Sequence, residues 1–246
     1  MTHSGITPPT SGIATAIDWC GDACLRVAFG AVPASEALAR VRRLHAWISR
    51  KPLEGFVDAT PAYATLLIRF DPHTDWKRSE DSVRELVAWL DESQPASDSM
   101  TANRVVEIPV CYDAAFAPDL ESVSTGSNLS VSEAIALHAA AEYNVAFIGF
   151  TPGFPYLLGL PEQLHSARLE RPRIRVPAGS VGIAGGQTGI YPRETPGGWK
   201  LIGRTPLRMF DASKPQPSLL LPGDCVRFVP IDAHRFAALA EKDRFR

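Results

Sequence analysis

Gly149-Phe150-Thr151-Pro152-Gly153-Phe154-Pro155-Tyr156-Leu157 and, further on, Val176-Pro177-Ala178-Gly179-Ser180-Val181-Gly182-Ile183-Ala184-Gly185-Gly186-Gln187-Thr188-Gly189-Ile190-Tyr191-Pro192 decide how this chain is read. Arg171-Pro172-Arg173 lies between them, and Thr195-Pro196-Gly197-Gly198-Trp199 follows. Eight of the 18 glycines fall between Gly179 and Gly203. Glycine is costly to order and weakens regular elements. Such density implies a backbone that turns sharply or is approached closely. The remaining side chains are large or polar: Gln187, Thr188, Tyr191, Trp199 and Lys200. Aromatic and amide groups on a bent β scaffold suit a small polar ligand or a partner groove. The same composition also suits a turn-rich β-domain with no ligand. A third reading is an anion or phosphate cradle made of successive backbone N–H groups. Arg171, Arg173, Arg175, Lys200 and Arg204 would then supply positive charge; the alternative is that they are solvated strand residues.

Working outward, 246 residues leave room for one large or two small domains with a real core. Hydrophobic content of 45% and charged content of 21% are ordinary for a globular protein. A net charge of −2 gives no basic surface, so no nucleic-acid partner is expected. No apolar run reaches the roughly 18–20 residues of a membrane helix, so no membrane partner is expected either. Residues 1–16 are rich in Thr, Ser, Gly and Pro without the pattern of a signal peptide, and read as a disordered leader. Cys20, Cys24, Cys111 and Cys225 are too few to staple the chain, which points to reduced thiols and a cytoplasmic setting. Cys20 and Cys24 could begin a metal site, but no His/Cys cluster completes it, and no metal is expected.

Periodicity predicts a first domain over 17–91. Cys24 to Phe29 alternates as a strand, and Pro33 to Arg50 has the apolar spacing of an amphipathic helix. Gly55 to Ala59 and Thr65 to Phe70 read as strands with Pro61 breaking between them. Ser79 to Leu90 reads as a helix capped by Ser79 or Asp81. That order argues for an α+β domain with helices on one side of an antiparallel sheet. The polar segment 92–103 reads as a linker. Over 104–246, Val105 to Val110 is a strand, and Ser130 to Tyr143 a helix opened by a Ser130/Glu133 capping box. Short β-runs follow, ending in a hairpin of Leu219–Leu221 and Cys225–Val229, which suggests a β-barrel or sandwich.

Standard catalytic signatures are absent. Gly185-Gly186-Gln187-Thr188-Gly189 lacks the lysine and following helix of a P-loop. Gly179-Ser180-Val181-Gly182 lacks the residue between glycine and serine of a nucleophile elbow, and Ser180 would need a base. His138 and Glu142 are four apart on the predicted helix, where they form either a His–carboxylate pair or an ordinary boundary histidine.

The glycine-rich motifs, with Ile108-Pro109-Val110-Cys111-Tyr112, Pro118-Asp119-Leu120, Leu137-His138, Ile202-Gly203-Arg204-Thr205 and the Pro222-Gly223-Asp224 turn, resemble the B subunit of bacterial ATP-dependent 5-oxoprolinases. This is the PxpB/KipI family, long described as allophanate hydrolase subunit 1. The resemblance runs from about Ile17 to Pro230. It implies a small N-terminal α+β sandwich domain followed by a cyclophilin-like β-barrel. It also implies a hetero-oligomer with 5-oxoprolinase subunits C and A that cleaves 5-oxo-L-proline to L-glutamate with ATP, this chain being inactive alone. A five-membered lactam is an unreactive amide, so ATP-driven activation of its carbonyl is sensible chemistry. Within that frame Gln187, Thr188 and Tyr191 would hydrogen-bond a lactam or carboxylate. Arg173 or Arg204 would hold a carboxylate bidentately or stabilise phosphate charge. Phe154, Tyr156 and Trp199 would exclude water, and Ser180 is a further candidate. Pro155 and Pro177 are the positions considered for a cis bond. Two other functions stay open: a Kip-type inhibitor that docks on a sensor histidine kinase, and an allophanate hydrolase or urea carboxylase-type component.

Overall fold

The computed structural model describes residues 15–30, 34–92 and 104–244. The chain divides into two compact units, 1–98 and 99–246. Most of the expected leader and linker lies outside the described residues. The leader's last two residues, Thr15 and Ala16, instead open a strand, and Glu92 closes a helix.

The first unit has the elements β1 (Thr15–Cys20), β2 (Cys24–Phe29), α1 (Ala34–Arg50), β3 (Phe56–Pro61), β4 (Thr65–Phe70) and α2 (Trp76–Glu92). Its strands form an antiparallel sheet in the order β1-β2-β4-β3. Alternation in β2 and β4 buries Leu25, Val27, Phe29, Leu66, Ile68 and Phe70 on one face. Ala37, Val41, Leu44 and Ile48 of α1 and Val83, Leu86 and Val87 of α2 complete that core at helical spacing. Two local expectations change. The cap of α2 is Asp75, whose carboxylate accepts from the N–H groups of Lys77 (3.0 Å) and Arg78 (3.2 Å). The strand expected to end at Ala59 runs on to Pro61, which closes edge strand β3 before β4 begins.

The second unit has β5 (Val105–Cys111), α3 (Leu120–Gly126), α4 (Val131–Ala140), β6 (Tyr143–Ile148), β7 (Pro155–Leu158), β8 (Arg173–Val176), β9 (Ser180–Ala184), β10 (Gln187–Ile190), β11 (Thr195–Gly197), β12 (Lys200–Arg204), β13 (Cys225–Ile231) and α5 (Ala233–Arg244). Seven strands close a barrel in the order β10-β7-β6-β13-β5-β12-β9, and β8 and β11 form a separate pair. Ile108, Val110, Val145, Leu157, Val181, Ile183, Ile190, Ile202 and Phe228 pack inside with Leu120 and Val123 of α3. The α+β class and the barrel both match expectation.

The capping box of α4 is present: Ser130 Oγ accepts from Glu133 N–H, and Glu133 accepts from Ser130 N–H. The helix nevertheless stops at Ala140, because fully buried Tyr143 already begins β6. The expected terminal hairpin does not form. Leu219–Leu221 is irregular: Asp224 accepts from Leu221 N–H (2.8 Å) and Arg104 (2.6 Å), which holds a turn and leaves Leu220 buried. β13 instead runs parallel to β5, from Cys225 opposite Val105 to Ile231 opposite Cys111. No peptide bond among the described residues is cis, so Pro155 and Pro177 are trans.

Candidate functional site

The glycine-rich stretch is barrel wall. Gly185 and Gly186 turn β9 into β10, and Gly185 N–H donates to Ser166 O at 2.7 Å. β9 is hydrogen-bonded to β10 and β12, and β10 to β9 and β7, so this backbone serves the ladder. It does not offer the row of outward N–H groups that a phosphate needs. Thr188 is fully buried, and its hydroxyl donates to Gly182 O at 3.0 Å. Ser180 is buried at the start of β9 opposite Arg204. Gln187 is half-buried at the start of β10. Gly189 illustrates why glycine is needed: a Cβ there would lie 2.7 Å from Pro155 O and 2.8 Å from the Phe154 ring.

That close approach assembles an aromatic platform. The Phe154 ring meets Tyr156 at 5.0 Å, Tyr191 at 5.2 Å and Trp199 at 5.4 Å, all edge-to-face. The guanidinium of Arg168 lies 6.0 Å from the Trp199 ring centroid. Phe154, Tyr191 and Trp199 are buried and Tyr156 is half-buried. Burial raises the Tyr191 phenol above its ordinary range, with its hydrogen bond to the Trp199 backbone acting the other way. The sequence motifs thus bring these aromatics together. The rings fill a core.

Phe150 is the exception, and sequence reading passed over it. It is 62% exposed at φ +66, an unusual backbone for a bulky side chain. Thr151 N–H donates to Gly149 O at 2.7 Å, which makes Phe150 the centre of a tight, strained γ-turn. Bonds from Phe154 N–H to Thr151 O (3.0 Å) and from Gly149 N–H to Phe154 O (3.1 Å) hold the loop. The ring stands edge-on to Phe154 (5.5 Å) and Tyr191 (6.4 Å). Strain of this kind persists where its surroundings enforce it, and it gathers at functional sites.

The structure separates the two candidate arginines. Arg173 Nη2 donates to Asp119 Oδ1 at 2.7 Å, while Asp119 Oδ2 accepts from Leu201 N–H at 2.7 Å. Arg173 therefore neutralises a buried carboxylate that fastens β12. Arg175 is paired with Glu194 at 2.8 Å. Arg204 donates Nε–H to Ala178 O at 2.7 Å and has no carboxylate partner among the described residues. Burial pulls its pKa below the usual arginine range. It lines a cleft of about 340 Å³ with Gly179, Thr205, Leu207, Phe236 and others. Gly179 sits at φ +81 and donates its N–H to Tyr191 O at 2.7 Å, so one hydrogen bond joins the cleft wall to the platform.

Of the two readings of His138 and Glu142, the His–carboxylate pair is not made. Glu142 lies beyond the end of α4 and binds Arg227. His138 is buried, stacked on Phe228 at 4.5 Å, with Nδ1 2.8 Å from the Tyr112 hydroxyl. Its pKa is pushed down to about 3 by burial. His165 Nε2 contacts Leu160 O at 3.2 Å. Neither histidine activates a serine or cysteine. Cys20 and Cys24 face each other across the β1–β2 turn as free thiols. No group of three His, Cys, Asp or Glu among the described residues could hold a metal, and no described helix is long and apolar enough to cross a membrane.

Comparison with known proteins follows the same lines. Residues 15–220 match the carboxyltransferase domain family, subdomain C and D. The chain is 39% identical over 92% of its length to the 5-oxoprolinase B subunit of Bacillus subtilis, covering 97% of that protein. The chain belongs to the 5-oxoprolinase B-subunit family. It is also 52% identical to the Escherichia coli O157:H7 member over 61% of this chain and 67% of that one. The solved structure of TTHA0988 is similar at TM-score 0.72 and 37% identity, over 86% of this chain but only 40% of that chain. The urea amidolyase of K. lactis shares the fold at TM-score 0.76 and 20% identity, over 97% of this chain and 16% of that chain. The family match ends before α5, and sequence reading saw nothing there either. The signal available was Ala233, Phe236, Ala237 and Ala240, apolar residues at helical spacing.

Proposed function

We propose that this chain is the B subunit of an ATP-dependent 5-oxoprolinase, acting with subunits A and C to convert 5-oxo-L-proline to L-glutamate. Similarity to the Bacillus subtilis protein along 92% of this chain and 97% of that protein carries the reading. The net reaction adds water across the lactam C–N bond, freeing the amine and a second carboxylate. A non-activated lactam needs its carbonyl made electrophilic, and coupling to ATP is the chemical means.

The glycine stretch does not fit a phosphate cradle, because its backbone is committed to the barrel. ATP use is therefore proposed for the assembly and not for a site in this chain. The absence of an activated nucleophile around His138 and His165 among the described residues supports a site shared between subunits. Phe150, at 62% exposure beside a rigid aromatic base, and Ile174, at 85%, are apolar groups suited to contact with a partner subunit. Gln187 remains a candidate contact for substrate or partner. Four free cysteines accord with a reducing, cytoplasmic compartment.

The test is reconstitution. Mixing this chain with subunits A and C and ATP should release glutamate from 5-oxoproline, and omission of any one should abolish it. Turnover by this chain alone, or by A and C without it at the full rate, would overturn the proposal.

A further inference from the structure

We propose that the cleft between the end of β12 and α5 is a binding site for a small organic monocarboxylate, with Arg204 as its anchor. Four observations carry this. The cleft, of about 340 Å³, has room for a compact ligand. Its charged lining is cationic, Arg204 and Arg208, with no carboxylate among the described residues that line it. Arg208 is balanced by Asp211 at 3.3 Å, whereas Arg204 has no carboxylate partner among the described residues. The remaining walls include Pro206, Leu207, Phe236 and Ala240, which suit a hydrocarbon body.

The chemistry of the ligand follows. One uncompensated guanidinium matches one negative charge. A phosphate dianion would bring a second charge, for which the lining offers only Arg208, already paired with Asp211. Donation from Nε to the Ala178 carbonyl fixes the guanidinium plane and leaves both Nη groups for the two oxygens of one carboxylate. A desolvated cation without a counter-ion is costly, so an entering carboxylate restores what burial removed. Phe236 is held against Phe116 at a ring distance of 4.5 Å, so the apolar wall from α5 is anchored to the body of the unit. Gly179 brings the backbone to the cleft edge: its φ is +81, and a Cβ there would collide with Thr205 O.

The site itself does not depend on the function proposed above. Only the step that identifies its ligand as 5-oxoproline, a ring bearing one carboxylate, rests on that reading. The experiment separates the two. The full chain is titrated by NMR with 5-oxoproline, cyclopentanecarboxylate, neutral 2-pyrrolidinone and inorganic phosphate, and Arg204→Gln is titrated in parallel. The expected result is saturable binding of the carboxylates, with shifts at the Ala178, Leu207 and Ala240 amides. Arg204→Gln should weaken them at least tenfold, and pyrrolidinone should not bind. Binding of cyclopentanecarboxylate but not 5-oxoproline would support the cleft and contradict the enzyme reading. Carboxylate affinity unchanged in Arg204→Gln, shifts confined to other residues, or phosphate binding more tightly than the carboxylates would overturn the site. Should Arg204→Gln fold poorly, Arg204→Lys keeps the charge but loses the fork. It should bind carboxylates several-fold more weakly than wild type, and equal affinity would overturn the bidentate contact.

Discussion

The aromatic platform around Phe154 and the cleft around Arg204 belong to the same unit, yet they treat polarity in opposite ways. On the platform side, charges and most named polar groups are met internally: Thr188 bonds Gly182, Tyr191 bonds the Trp199 backbone, and Arg173 neutralises Asp119, while the buried Thr151 hydroxyl is left without a hydrogen-bond partner among the described residues. In the cleft, a half-buried guanidinium faces no carboxylate among the described residues. The platform is built by the most conspicuous motifs of the chain; the cleft joins Ala178, Gly179, Arg204 and Thr205 from the edges of those motifs to a helix that they do not reach. Conspicuous sequence here marks hard-to-fold geometry, and the charge without a counter-charge lies at its edge.

If that contrast is right, changes on the platform side should cost stability first. The largest effect is expected at Gly189. Gly189→Val would drive a branched side chain against Pro155 O and the Phe154 ring, and the backbone oxygen has nowhere to go. Overpacking of this kind should cost about 4 kcal/mol, seen as a drop of roughly 10 °C in the melting temperature. A melt within about 2 °C of wild type would show that the platform is looser than described.

Asp119 comes next. Asp119→Ala leaves Arg173 without its partner and Leu201 N–H unbonded, both near β12. Because Arg173 retains some solvent contact, the loss should be about 2–3 kcal/mol by urea denaturation. A loss under about 0.5 kcal/mol would mean the pair is dispensable and Arg173 is available for other work.

His138 tests the same interior through pH. Its folded pKa of about 3 lies below the ordinary 6.5. Between those values the unfolded chain binds a proton that the folded chain refuses. Stability is therefore fully present above pH 6.5 and falls as pH drops toward 3, by about 1.4 kcal/mol per pH unit. Urea melts at pH 7.5 and 5.5 should show this, and His138→Phe should flatten the slope. The smallest effect belongs to Thr188→Val, which removes one internal hydrogen bond and should cost about 1 kcal/mol, with turnover of the assembled complex unchanged per folded molecule.

How much of this was legible beforehand depended on whether the signal was local. The α1 periodicity of Val41, Leu44 and Ile48 and the Ser130/Glu133 capping box are short-range patterns, and both elements formed. β13 was expected to fold back on Leu219–Leu221 as a hairpin. Its parallel partner β5 lies over a hundred residues earlier, and no local pattern encodes that pairing. Among site residues, sequence alone could not distinguish Arg173 from Arg204. The difference is Asp119, far along the chain from Arg173 and brought to it only by folding. Phe150 escaped for another reason: its φ of +66 is a property of the folded loop, and nothing in its residue type announces it.

Ligand chemistry, on this view, belongs to Arg204, while the glycine and aromatic motifs hold the fold. The decisive quantity is the KM for 5-oxoproline of the reconstituted complex carrying Arg204→Gln, read beside a thermal melt of the variant chain. A lost charge-assisted contact of about 1.5–3 kcal/mol should raise KM roughly ten- to a hundredfold, with the melting temperature within about 2 °C of wild type. An unchanged KM at unchanged stability, or activity falling only in step with the folded fraction, would contradict it.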